Sequence, residues 1–286
     1  MPKSLLIMAT VLLLAGPAAA VATPAAAAAG PAAATPATAG PAAAGTARRS
    51  VWHVVAPGET MAGIAAANGL RVADVGRWNQ IVPPYPVHVD ETLRLTPPTS
   101  RMPSWRTRVE PVTPESVSWN PAYRCPVPPQ DLRRIWVSYI DFRGEYHDGS
   151  IVMHKNLVTQ TQQAFATLFR WRFRIMAMAP LWLNLPGQTD TSIATSGYAC
   201  RRVAGSRVWS QHAYGVAIDL NPLQNPMVRG ALLDPPAAGR WVRRNQYLIG
   251  MVHAEGAVRA LTGNGFAWGG RWRTLKDYQH FSTTGR

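Results

Sequence analysis

Residues 210–222 read SQHAYGVAIDLNP, and this run sets a condition that any fold of the chain must meet. His212 and Asp219 stand among Val216, Ala217, Ile218 and Leu220. A strand needs neither an imidazole nor a carboxylate among its apolar side chains, and each polar group withdrawn from water demands a partner. A metal ion is one candidate partner. Gly215 breaks strict strand alternation, so both side chains can face one pocket.

Two ligands do not make a useful zinc site; a catalytic centre takes three and keeps one position open. The chain carries seven histidines. His53 reads as part of a short strand, His147 as a hairpin turn, His154 as a strand end and His253 as helical between Val252 and Ala254. Isolated histidines of this kind carry no spacing signal. His280 differs, because it lies in LKDYQHFS with Asp277 three residues ahead. A carboxylate beside a metal-activated water is what metal-assisted hydrolysis needs. The expected constellation is His212, Asp219 and His280 as ligands of Zn2+, with Asp277 as general base.

The rest of the 286 residues divides by composition. Lys3 and the apolar run from Leu5 to Ala15, broken at Gly16-Pro17 and followed by small residues, have the layout of a signal peptide over 1–22. The alternative is an uncleaved anchor, for which the run is short. Residues 23–49 are nearly all Ala, Pro, Thr and Gly and read as an extended linker. No later run is long and apolar enough to span a bilayer, so no stable span is expected after cleavage. Cys125 and Cys200 would then meet an oxidising compartment, where one disulfide is the simplest use; two buried thiols are the alternative.

From residue 50 to 97 the pattern is strand, helix from the cap Thr60, helix over Val72 to Trp78, and closing strand over Thr92 to Thr96. Residues 98–122, rich in Pro, Ser, Thr and Arg, read as a second linker. The larger domain, 123–286, opens with a hairpin made of IWVSYIDF, RGEYHDG and SIVMH. A helix capped by Asn156 follows, running to about Trp171, and RIMAMA reads as a strand before a Pro- and Gly-containing loop. Strands and helices mix without a βαβ rhythm, so the class is α+β.

The net charge is +14. Residues 51–97 hold three Arg against four acids, whereas 98–286 hold 23 Lys plus Arg against 11 acids. A basic body on an exported protein suggests attraction to anionic wall polymers. No nucleic-acid fold signature is present, and nucleic acid is not an expected partner.

Residues 50–97 resemble a LysM (βααβ) domain, through VVAPGET, IAAANGL, RWNQI and ETLRL. The resemblance implies binding of N-acetylglucosamine glycan by Gly58, Glu59, Thr60, Met61, Asn79 and Ile81; Asn79 merely tying a turn is the other reading. Two departures stand out: Glu59 where Asp is usual, and Asp90 where Gly is common. SQHAYGVAID followed by DYQH, with GYACRR, GFAWGGRW and YIDFRGEYHDGSIVMH, resembles the VanY-type zinc D-alanyl-D-alanine carboxypeptidase and L-alanyl-D-glutamate endopeptidase family. That family implies a hedgehog-like fold, zinc on His212, Asp219 and His280, and Asp277 as base where many members use Glu. It further implies Arg201 (or Arg202, one register away) at the oxyanion and Ser210 on the substrate. Tyr214 and Trp268 line the pocket or pack beneath it, and Arg271 stands where relatives often carry Asp.

Together the resemblances imply a secreted, wall-located zinc peptidase. Its LysM module would tether it to peptidoglycan while it cuts stem peptides as D,D-carboxypeptidase or endopeptidase. The alternative is a non-catalytic peptidoglycan-binding wall protein.

Overall fold

The computed structural model describes residues 51–180 and 193–286. The expected signal peptide and the 23–49 linker lie outside them, as does most of the loop expected after RIMAMA. Among the described residues no helix is long and apolar enough to cross a membrane.

The small module is built as expected. β1 (Trp52–Val54) leads to α1 (Met61–Ala67), where the Thr60 hydroxyl accepts the Gly63 N–H and satisfies one free helix-end donor. α2 (Val72–Asn79) stops where Gln80 turns left-handed, and β2 (Thr92–Arg94) returns antiparallel to β1. Val55, Met61, Ile64, Val75, Leu93 and Leu95 close its core.

The 98–122 segment is not merely a linker. Its residues Thr107–Pro111 form β3, an edge strand antiparallel to β4 (Leu132–Ile140), which pairs in turn with β5 (Tyr146–His154). Val112 and Val117 also join a buried cluster with Leu132, Val152 and Tyr198. The cross-strand ladder and this burial hold the segment in place. Behind the sheet lies α3 (Val158–Arg170), whose Ala164, Phe165 and Leu168 enter the main core with Ile135 and Ile151. It follows one 3₁₀ turn at Lys155–Leu157, capped by His154 rather than Asn156: the His154 ring accepts the Asn156 N–H.

RIMAMA is not a strand. It makes two isolated bridges, Arg174 with Ile140 and Met178 with Thr195, and crosses the interior between them. β6 (Ala217–Asp219), β7 (Met227–Arg229), β8 (Leu232–Asp234), α4 (Val258–Thr262), β9 (Ala267–Trp268), β10 (Lys276–Asp277) and β11 (His280–Ser282) complete the chain. They form two three-stranded sheets, in the orders β6-β11-β9 and β10-β7-β8. His253 lies before α4 rather than in a helix, because its ring and its main chain are committed elsewhere.

That commitment is to Asp90 of the small module. Asp90 is buried, accepts the N–H groups of His253 (2.8 Å) and Ala257 (2.9 Å), and lies 2.6 Å from His253 Nδ1. Gly256 makes the approach possible, since a Cβ there would meet the Asp90 carboxylate at 2.2 Å. Beside it Glu91 pairs with Arg172 at 3.0 Å, both buried, and His88 stacks on Trp171. The two modules are therefore packed together through buried, paired charges.

Cys125 and Cys200 form a disulfide, with Cα atoms 5.7 Å apart across a sequence separation of 75. It removes loop entropy from the unfolded chain worth about 4 kcal/mol. The double Cys125→Ser, Cys200→Ser variant is expected to lose about that much unfolding free energy in a urea titration. A loss below about 1 kcal/mol would show that the unfolded chain is already constrained there.

Candidate metal centre and active site

The centre is placed by strand pairing. His280 on β11 stands opposite Asp219 on β6, so their side chains share one face. His212 arrives on the 3₁₀ turn Gln211–Tyr214, which Ser210 caps by accepting the His212 N–H. Gly215 ends that turn at φ +66°, and a Cβ there would meet the main-chain nitrogen of His154 at 2.7 Å. So the turn can swing straight into β6 only with glycine at this place.

Three donors converge. His212 Nε2 lies 3.1 Å from an Asp219 oxygen and 3.3 Å from His280 Nδ1, and His280 Nδ1 lies 3.1 Å from the other Asp219 oxygen. The outward nitrogens settle the tautomers. His212 Nδ1 donates to the Gly197 carbonyl at 2.6 Å, and His280 Nε2 donates to the Arg286 main-chain oxygen at 3.0 Å. In neutral rings both inward nitrogens then carry only a lone pair. Two lone pairs and a carboxylate facing one another at these distances form a set of donors that could hold a metal ion. The donor set, two imidazoles and one carboxylate with outer nitrogens held by carbonyls, suits zinc.

The three groups also bear on one another's charge. Burial alone would raise the Asp219 pKa, but the charges and hydrogen bonds of His212 and His280 hold it well below the usual range. Burial would lower His280, and the hydrogen bond and charge of Asp219 outweigh it and raise that ring.

Asp277 sits on β10 against Gly269, and its Oδ1 is buried with no hydrogen-bond partner among the described residues. Burial, with the Asp219 charge beside it, pushes its carboxyl up to about 7, against the opposing charges of His280 and Arg201. A buried oxygen without a partner, beside a candidate cation site, is chemically able to hold a proton.

The other expected residues fall into distinct places. Arg201 is exposed, and its charge is felt at Asp277. Arg202 instead lies over the Trp209 ring at 4.2 Å, away on an exposed hairpin-like loop. Ser210 is buried as a helix cap, so its hydroxyl positions His212. Tyr214 is exposed on the same turn. Trp268 is engaged in packing: its Nε1 donates to the Tyr278 carbonyl and its ring stacks on Phe281. Arg271 is exposed. The sequence reading had no means of finding the Gly197 and Arg286 carbonyls, since any residue supplies one, nor Trp272, whose ring lies 5.4 Å from His280.

In the small module Gly58 and Thr60 are exposed and Ile81 is half-buried. Glu59 accepts the Ala56 N–H and lies 2.7 Å from His53. Met61 belongs to the core instead of a groove. Asn79 is buried, donating to the carbonyls of Val75 and Arg94 and accepting the Arg94 N–H. Its side chain thereby ties α2 to β2.

With this geometry in view, two family models match separate parts of the chain. Residues 204–283 match the D-alanyl-D-alanine carboxypeptidase family. The matched stretch contains His212, Asp219, Asp277 and His280, while Arg201 lies just outside it. Residues 53–96 match the LysM domain, so the two modules come in the expected order. No curated protein and no solved structure matches the chain. The carboxypeptidase-family and LysM matches support a peptidoglycan-binding peptidase of mixed α+β structure.

Proposed function

We propose that the chain is a secreted, zinc-dependent peptidoglycan peptidase with a hedgehog-like catalytic domain, held at the cell wall by its LysM module. Its substrate is the stem peptide, cut as a D,D-carboxypeptidase or as an endopeptidase. The observation that carries the reading is the convergence of His212 Nε2, His280 Nδ1 and the Asp219 carboxylate beside the buried, unpartnered Asp277 oxygen. His212, Asp219 and His280 would hold the metal.

A bound zinc supplies Lewis acidity, which makes water nucleophilic near neutral pH. The Asp277 carboxylate takes the proton from the attacking water at Oδ1 and delivers it to the departing amine. Arg201 brings a fixed positive charge toward the oxyanion that develops at the scissile carbonyl. Ser210 keeps His212 on its turn, and the Gly197 and Arg286 oxygens keep both rings oriented. Exposed Gly58 and Thr60, with half-buried Ile81, are the part of the LysM surface left to meet N-acetylglucosamine.

The test is mass spectrometry of muropeptides after purified peptidoglycan meets the zinc-loaded protein. Loss of one terminal alanine identifies a carboxypeptidase, and new internal ends identify an endopeptidase and its bond. Unchanged muropeptides across several wall chemotypes would overturn the enzyme reading and leave a wall-binding protein.

A further inference from the structure

A second cleft, sharing no residue with the metal centre, opens where the LysM module meets the β4–β5 hairpin. Its volume is about 500 Å³, within the size range of small-molecule sites. Trp52, Trp78 and Tyr146 line it together with four arginines: Arg94, Arg143, Arg172 and Arg174.

The charge balance there is the notable observation. Arg172 is answered by Glu91 at 3.0 Å. Among the described residues no carboxylate forms an ion pair with Arg94, Arg143 or Arg174. Arg174 is only 3% exposed, yet among the described residues the sole hydrogen bond of its guanidinium is a long one, 3.5 Å, to the Asp141 carbonyl. Its Nε, like that of Arg94, is buried without a partner. Both guanidinium groups lie against the Trp52 indole, at 4.1 Å and 5.0 Å from the ring centroid. Burial pushes Arg174 down to about 10, opposed by Tyr146 and Asp141 and reinforced by the charges of Arg172 and Arg94, so it still carries its charge at neutral pH. Glu145 is the acidic residue at the rim, one charge against several. Desolvated cations with unused donors ask for an oxyanion. Aromatic walls beside them offer flat apolar faces suited to a sugar ring.

We propose that this cleft binds an anionic carbohydrate, a sugar or polyol unit bearing a phosphate or a carboxylate, with Arg94, Arg143 and Arg174 holding the oxyanion and Trp78 and Tyr146 flanking the ring. The site is separate from the LysM glycan surface at Gly58, Thr60 and Ile81, and it stands whether or not the metal centre is a peptidase.

Isothermal titration of the full chain at low salt tests this with four probes: glucose 6-phosphate, glucuronate, glucose and inorganic phosphate. Glucose replaces N-acetylglucosamine so that the LysM surface does not contribute. The expected result is that one charged sugar binds at least about tenfold tighter than glucose, and tighter than phosphate alone. Whichever charged sugar binds tighter distinguishes a phosphate-bearing from a carboxylate-bearing ligand. Raising the salt should weaken that binding. Arg143→Gln, at an exposed position, and Arg94→Gln should each weaken it about tenfold with unchanged circular dichroism. Arg174→Gln should weaken it further wherever the variant folds. Equal binding of glucose and both charged sugars would overturn the proposal. So would phosphate binding as tightly as either charged sugar, or a charged-sugar preference that survives both exposed-arginine and Arg94 substitutions.

Discussion

Asp277→Asn, loaded with zinc, should cleave stem peptide about 10²–10⁴-fold more slowly than the parent, the usual worth of a positioned general base. Asparagine matches the carboxyl in shape but cannot take a proton, so His212, Asp219 and His280 keep their places. Zinc stoichiometry should stay at the parental value. The melting temperature should not fall, because the variant removes a charge from a site where burial and Asp219 already disfavour it. A purely structural role would reverse this pattern, lowering stability while sparing turnover. Parental turnover by Asp277→Asn would remove Asp277 from the mechanism.

The second large effect lies far from the metal. Asp90→Ala should destabilise the protein by about 3–5 kcal/mol, as expected when a buried, fully bonded carboxylate is deleted and its donors are stranded. The stranded groups are the His253 N–H, the Ala257 N–H and the His253 ring. Asp90 adopts φ +68°, a left-handed conformation that glycine accepts without cost. Asp90→Gly therefore relieves the backbone while losing the same three bonds, and should recover only part of the deficit. Chemical denaturation of both variants distinguishes the contributions. If Asp90→Gly equals or exceeds the parent in stability, the hydrogen bonds to His253 and Ala257 contribute nothing net.

Asp90 also marks the boundary of what could be read in advance. The candidate site was legible as a cluster because its residue types stand at short spacing: His212 with Asp219, and Asp277 with His280. An acid bonding a histidine 163 positions away leaves no such trace, and Asp90 alone looked only like a departure from a glycine. β3 escaped notice because TRVEP is an edge strand with mainly exposed side chains, lacking the apolar alternation that signals a half-buried one. RIMAMA misled in the opposite direction. It has the apolar composition of a strand, but it threads the interior and touches its neighbours at single bridges. In the small module the helix cap at Thr60 was readable from local rules, whereas burial decided that Met61 and Asn79 serve the scaffold.

The seating of the LysM module against the larger domain has a geometric consequence. A module on a flexible leash of n residues roams a volume whose radius grows as about 5–6 Å × √n, and its catalytic partner can reach any bond inside it. Here Asp90, Glu91 and His88 grip His253, Arg172 and Trp171, so the leash has no slack. On the proposed function, anchoring on a glycan strand would then fix the offset at which the candidate metal centre hangs from it. On that reading the protein would work as a caliper on the wall, cutting only where the mesh presents a peptide at that one setting.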